Sequence, residues 1–478
     1  MLKYNKYIIL FLIYSIFNYS NNYCYASKNI GKNYNYKAPV VNVYNKEKIN
    51  SNKNITIKNN ERSDLLITLE NVIKNSPKFA TNDFIRQGAR NQLLGGYAKF
   101  LPNINISASH SDSESFNIIN GTPSQVTSRS FNYTQFTFNQ NIFAFGKDTM
   151  SLASLSHQDS AAKYATLTSE NAVLFDALQV HLNLVIANQL VSLHSKRVQK
   201  MKLDLNASKR KKELEQITIK DLKSAEAKYY GALSDLYEAQ GDAKKIRAKY
   251  IHFTSVEPEL ILKSNSYDSL EDYYKDVIKN ISKLPQTLEE VKNYATKHSP
   301  TILNSMRNVI SKHFASASSF ANIFPSIDLN YMDKNEYESR EVNLDNSSIN
   351  LSVSIPLLNN GRDVLNYSNS NLAYRKAIID NRETQSDIMD FINGAWDDIK
   401  VKFTKITAAE KKANAYQMVL DSTIKQRESN LSTILDVMSA ENDYTEAKII
   451  FYKSYSEYII AIYELLFKIA PYNEILNF

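Results

Sequence analysis

The sequence is poor in residues that interrupt or cross-link a chain. Its 478 residues include 10 glycines, 10 prolines, one cysteine and one tryptophan. Glycine and proline are each roughly 2%, where about 7% and 5% are usual, so few positions break a helix. A single cysteine excludes an intrachain disulfide and an Fe–S cluster. The formal charge is +7, with 57 basic residues dispersed among 50 acidic ones. That balance gives no basic stripe of the kind that binds nucleic acid. The seven histidines (His110, His157, His181, His194, His252, His298 and His313) are scattered, with no pair at metal-ligand spacing. Gly95-Gly96 stands alone, without a glycine-rich phosphate loop, and no G-x-S-x-G elbow occurs. The chain therefore reads as a non-enzyme with no cofactor and no metal.

The N-terminus has the form of a secretory signal. Lys3 and Lys6 precede the apolar run Tyr7–Phe17, and Ala26 supplies a small residue for cleavage. The run is shorter than a comfortable membrane span. Cleavage after Ala26 removes Cys24, and the charge becomes +5, which is +7 less Lys3 and Lys6. Residues 27–62, rich in Asn, Lys and Tyr, lack periodicity and read as a disordered arm.

The remainder repeats itself. Ser76-Pro77 matches Ser299-Pro300, and Leu101-Pro102 matches Phe324-Pro325, both at an offset of 223. Gly146-Lys147 matches Gly361-Arg362, Ser224-Ala225-Glu226 matches Ser439-Ala440-Glu441, and Tyr229 matches Tyr444, all at 215. The offset changes once, so the first copy carries eight more residues (223 − 215) between Pro102 and Gly146. Two tandem units follow, residues 63–253 and 285–467, separated by an equatorial linker at 254–284 and followed by a tail at 468–478.

Each unit has one order of patterns. A helical pattern comes first. Alternating strands are then predicted at 101–113 and 129–144 in the first unit, and at 325–333 and 347–357 in the second. Asn120-Gly121 and Pro123 mark a polar loop between the first pair. The apolar phase slips between Tyr133 and Phe136, which suggests a bulge. Long helices are predicted at 147–215 and 362–429. Each spans nearly seventy residues, or roughly 100 Å at 1.5 Å per residue. A seam of Ile388, Ile392, Ile399 and Ile406 predicts coiled-coil-like packing. Return helices are predicted at 219–250 and 434–467. The apolar section Phe175–Leu193 holds Asp176, His181 and Asn183, which favours burial among helices over a membrane span. The basic run Lys196–Lys212 reads as a solvated helix face paired with Asp204, Glu213 and Glu215.

The strands suit an outer-membrane β-barrel, with one apolar face and lengths near ten residues. Four strands cannot close a barrel, and open edges are not tolerated in lipid, so several chains must contribute. The fold class is thus mainly α with a small β part: long antiparallel helical hairpins plus four strands per chain. A periplasmic or surface coiled-coil scaffold, its hairpins merely capping the rods, is the alternative.

With this order the chain resembles the TolC-type outer-membrane efflux proteins over roughly Asp64 to Leu466. The strand-to-helix motif of that family is matched by Ile355-Pro356-Leu357-Leu358-Asn359-Asn360-Gly361-Arg362, and by Gln140-Asn141-Ile142-Phe143-Ala144-Phe145-Gly146-Lys147 without the proline. Gly146, Pro356 and Gly361 are then the barrel-to-helix turns. The helical-tip motif is matched around Ile217, Thr218, Ile219, Lys220 and Asp221, and around Thr433, Ile434, Leu435 and Asp436. Where the family usually carries a glycine before this turn, the chain has Glu215 and Asn430. Asn tolerates a left-handed backbone, and Glu does so poorly. The resemblance implies a homotrimer with a twelve-stranded barrel in the outer membrane. It also implies a periplasmic helical tunnel, and tips that dock a periplasmic adaptor (membrane fusion) protein and an inner-membrane transporter, ABC or proton-driven. The implied role is the exit duct of a tripartite efflux pump or a type I secretion system. Asp421, nine residues before Asn430, matches the acidic constriction ring, where three copies would repel one another and attract cations.

Overall fold

The computed structural model describes residues 64–119, 122–259, 273–274, 277, 287–338, 343–357 and 359–476. The expected signal (1–26), the arm (27–62), Asn120-Gly121 and most of the linker lie outside the described residues.

The first helical pattern is two helices, α1 (Asp64–Asn75) and α2 (Pro77–Ala98). A residue before proline is pushed out of the α region. Ser76 accordingly adopts φ −71°, ψ 125°, and its hydroxyl accepts a hydrogen bond from the Lys78 backbone N–H. The second unit breaks in the same way at Ser299, between α5 (Leu288–His298) and α6 (Pro300–Ala321). The rods are α3 (Lys147–Glu213) and α7 (Arg362–Glu428), and the return helices are α4 (Ile219–Thr254) and α8 (Ile434–Ile469). A short α9 (Tyr472–Ile475) follows.

Among the described residues the strands are β1 (Asn103–Ile119), β2 (Thr122–Phe143), β3 (Ser326–Glu338) and β4 (Asn343–Ser354). They form one antiparallel sheet in the order β1-β2-β3-β4. The first hairpin is longer than predicted. The stretch read as a polar loop continues the ladder, with Ser113 opposite Arg129 and Phe116 opposite Val126. Backbone pairing does not need the apolar alternation by which the strands were recognised. The predicted bulge at Tyr133–Phe136 is absent, since register runs unbroken from Phe131 to Asn141 against β3. The shifts lie instead at Asn117/Ile118 and Asn141/Phe143. The slip in the pattern therefore records apolar side chains moving from one face of β2 to the other.

The helices form a layered bundle. α6 lies between α3 and α7, α2 lies against α3, and α4 and α8 return along the rods. The largest core sits midway along the rods, where Leu174, Leu178 and Leu182 of α3 meet Leu65 and Leu69 of α1, Ile459 and Phe467 of α8, and Tyr273, Tyr274 and Val277 of the linker. The apolar section of α3, which is long and apolar enough for a membrane span, is thus core. His181 within it is fully buried. Its Nδ1 is 2.9 Å from the Thr68 hydroxyl and its Nε2 is 2.7 Å from the Tyr273 hydroxyl. Burial pushes its pKa down to about 3, so it is a packed neutral histidine. Along the predicted α7 seam, Ile388, Ile392 and Ile406 are buried.

Candidate functional site: a two-faced sheet, two junctions and two tips

Side chains of directly paired residues share a face of a sheet, so the register sorts the strands into two surfaces. Ile104, Phe138, Tyr331 and Ile349 form one row across all four strands. Ile106 and Phe136 continue this face outward, and Leu329 with Leu351 and Ile327 with Val353 continue it toward the helices. The row residue Ile349 is 53% exposed, Leu351 67% and Ile106 74%. Such a continuous exposed apolar surface calls for an apolar covering. The opposite face is polar. Asn105 pairs with Thr137, Ser107 with Gln135, and Asn139 with Asn330, which pairs in turn with Asn350. This face is internally hydrogen-bonded: the Asn141 amide donates to Asp328 (2.8 Å), and the Asn330 amide donates to Asn139. At Asn141/Phe143 the bulge passes over Ile142, which lets Phe143 join Ile327 on the apolar face.

At the inner edge of the apolar face lies an aromatic belt. Phe145 stacks on Phe324 (4.4 Å, 7°), and Phe143, Phe320 and Tyr367 extend the cluster. From this belt to Asp333 is nine residues of β3 and its approach, roughly 30 Å along the chain. At a barrel tilt near 40° that gives about 23 Å of height, close to the apolar band of an outer-membrane barrel.

The two junctions share one backbone solution. Lys147 N–H donates to Ala144 C=O (2.9 Å) and Arg362 N–H to Asn359 C=O (2.8 Å). Between them both central residues have positive φ: Phe145 50° and Gly146 83°, Asn360 50° and Gly361 71°. This is a type I′ turn, for which Asn-Gly is the favoured pair. Phe145 is a costly residue in the left-handed region, and its stacked ring on Phe324 offsets that cost. Gly146 and Gly361 are also the residues from which the rods start. β4 ends at Ser354, so Pro356 lies beyond the ladder in the short segment leading to the turn.

The opposite ends of the hairpins are equally alike. Gln216 N–H donates to Lys211 C=O (2.8 Å) and Glu215 N–H to Lys212 C=O (3.0 Å); in the second unit Leu431 donates to Gln426 (2.8 Å) and Asn430 to Arg427 (3.0 Å). These are Schellman closures. Glu215 (φ 58°) takes the same left-handed conformation as Asn430 (φ 60°), so its side chain does not change the turn. Thr218 and Thr433 then open the return helices with capping boxes to Asp221 and Asp436. The threonine hydroxyl and backbone bonds hold both carboxyls below the usual aspartate range.

The two tips lie side by side. Ile434 and Met438 pack with Ala225, Met201 and Leu205. Thr218, Ile219 and Lys220 are exposed at the first tip, while Ile217 and Leu435 are half-buried. Cross-hairpin polar links tie the tips together. Arg427 of α7 pairs with Asp204 of α3 (2.6 Å), and Lys200 with Glu441 of α8 (2.9 Å). Arg197 bridges Asp235 (2.8 Å) and Asn442 (2.5 Å), and Lys228 reaches Leu435 C=O (3.1 Å) and the Ser439 hydroxyl. Sequence reading missed these links. It paired Asp204 with neighbours on its own helix, whereas its partner is 223 residues away. Asp421 is exposed on α7 beside the buried Leu420, apart from this network.

A sheet with one exposed apolar face and one polar face, joined by tight turns to 67-residue rods, fits an outer-membrane channel continued by a helical duct. No family model matches the sequence. The chain is 21% identical over 355 residues to the outer membrane efflux protein BepC of Brucella suis, covering 74% of this chain and 75% of that one. Its fold is similar to that of a membrane protein from Pseudomonas aeruginosa (TM-score 0.74, 15% identity, 86% and 90% of the two chains covered). It is also similar to the Campylobacter jejuni CmeC outer membrane channel (TM-score 0.73, 15% identity, 85% and 86% covered). A third similar structure is the open-state MtrE outer membrane channel of Neisseria gonorrhoeae (TM-score 0.69, 15% identity, 84% and 88% covered). The chain thus shares the fold of these outer membrane channels and is similar in sequence to an outer membrane efflux protein.

Proposed function

We propose that three copies of this chain form the exit duct of a tripartite efflux pump or type I secretion system. The observation that carries the proposal is the segregation of the sheet into an exposed apolar face and a hydrogen-bonded polar face. Strands β1 and β4 are the two edges of this sheet, and edges in lipid must be paired. Three chains give twelve strands, and the apolar face then meets lipid while the polar face lines a water-filled lumen. The rods continue that lumen across the periplasm. The paired tips around Thr218 and Thr433 are the docking surface for an adaptor protein, with an inner-membrane transporter behind it. Asp421, on the exposed surface of α7, supplies the acidic ring of the constriction. The duct passes cargo without catalysing a reaction.

Purified protein reconstituted in planar bilayers tests this. The expected result is a heat-sensitive trimer on gels and single-channel conductance. A monomer that is released from membranes by carbonate and conducts nothing would refute it.

A further inference from the structure

The polar face of the sheet is nearly free of charge. Where side chains are described, its charged groups are Asp328 near the helices, and Lys334 and Glu336 at the far end. That far end is organised. Lys334 lies opposite Gln135, and Glu336 lies opposite Tyr133. The Lys334 ammonium sits 4.3 Å from the Tyr133 ring centroid and 5.9 Å from that of Phe131. The two rings stack at 6.3 Å, and the ammonium is 3.0 Å from the Glu336 carboxylate. Two aromatic faces and a carboxylate converging on one ammonium make a cation cradle. Here the occupant is the chain's own lysine. Lys334 follows Asp333, which is level with the outermost apolar pair Ile106 and Phe136, so the cradle lies at the outer margin of the apolar band.

We propose that Phe131, Tyr133 and Glu336 form, three times around the lumen, an outer-mouth site for organic ammonium groups, and that Lys334 is its built-in competitor. The inference rests on the duct reading, which turns the polar face inward. A cargo carrying an alkylammonium group exchanges with Lys334 as it leaves. It gains the aromatic faces and the carboxylate while the lysine swings into the water of the lumen. With Lys334 seated the site is weak, which suits an exit: binding must be loose enough to release.

Block of single-channel current by tetraethylammonium, added to each chamber in turn, tests the site. The wild-type channel is expected to be blocked weakly. Lys334→Ala vacates the cradle and should tighten block from one side by about threefold or more. Lys334→Gln provides a second variant that keeps a polar side chain of moderate length. Adding Tyr133→Ala to either variant should return block to the wild-type level, whereas a purely electrostatic effect of the lost positive charge would survive that change. Unchanged block in both lysine variants, or tightened block that persists without Tyr133, would overturn the site while leaving the duct intact. A wild-type protein without conductance would instead remove the duct itself and the site with it.

Discussion

The assignment of faces makes its sharpest prediction at two adjacent residues of β4. Ile349 belongs to the apolar row with Ile104, Phe138 and Tyr331, and Asn350 belongs to the polar face opposite Asn330. Ile349 lies between the inner row of Ile327 and Val353 and the outer row of Ile106 and Phe136, so it sits within the apolar band. An arginine within the band costs up to roughly 2–4 kcal/mol per chain. Three copies in one barrel bring the total to as much as roughly 6–12 kcal/mol, comparable to the whole stability of many domains. Ile349→Arg should therefore abolish the heat-sensitive oligomer, or shift its urea midpoint in lipid vesicles far downward. Asn350→Arg places its charge in the lumen, where water solvates it, and should assemble normally. It should shift selectivity toward anions in bilayer recordings, because it adds three positive charges to the pore wall. Normal assembly of Ile349→Arg together with failure of Asn350→Arg would show that the faces are inverted and would refute the barrel placement.

Four further outcomes follow from the junctions, tips and rods. Gly361→Ala forces a Cβ into a left-handed residue (φ 71°) that has open space around it. Its cost is therefore backbone strain of about 1–2 kcal/mol, and a lowered urea midpoint partly recovered by Gly361→Asn would confirm the origin. Thr433→Ala removes a capping box and should cost about 1 kcal/mol, read as several-fold faster amide exchange in the first turn of α8. Because Thr218 and Thr433 lower the pKa of Asp221 and Asp436, the stability they contribute is present above the ordinary aspartate pKa, about 3.9. It is lost as pH falls through the lower folded values. Exchange at both tips should therefore accelerate only in acid below about pH 4, and acceleration near neutrality would contradict the cap assignment. Asp421→Asn should weaken cation selectivity and divalent block, and unchanged recordings would remove Asp421 from the constriction.

Much of the helical scaffold was legible because its cues are local. The scarcity of glycine and proline, the matched Ser-Pro steps and the Gly146-Lys147 and Gly361-Arg362 junctions each act within one turn of chain. The first hairpin was read too short because its outer part, between Ser113 and Arg129, alternates little. Its pairing is carried by backbone bonds that any residue can make. The same limit explains the misplaced bulge. Phe131 and Tyr133 differ in phase from Phe136 and Phe138 because the two pairs serve opposite faces. A one-dimensional pattern cannot distinguish a residue inserted into the ladder from an apolar pair turned toward the lumen.

That distinction carries functional weight. A strand with a regular apolar phase would expose nothing aromatic on its polar side. The phase change in β2 puts Phe136 and Phe138 on the apolar face and Phe131 and Tyr133 on the polar face beside Lys334. The contact is made across strands from two different repeats, so neither repeat read alone contains it. The tip shows the same logic. Asp204 and Arg427 belong to different repeats and meet only when the two hairpins lie side by side. Internal duplication made the scaffold readable twice over. The features that distinguish one end of the duct from the other arise where the two copies diverge and touch, so they require the assembled register.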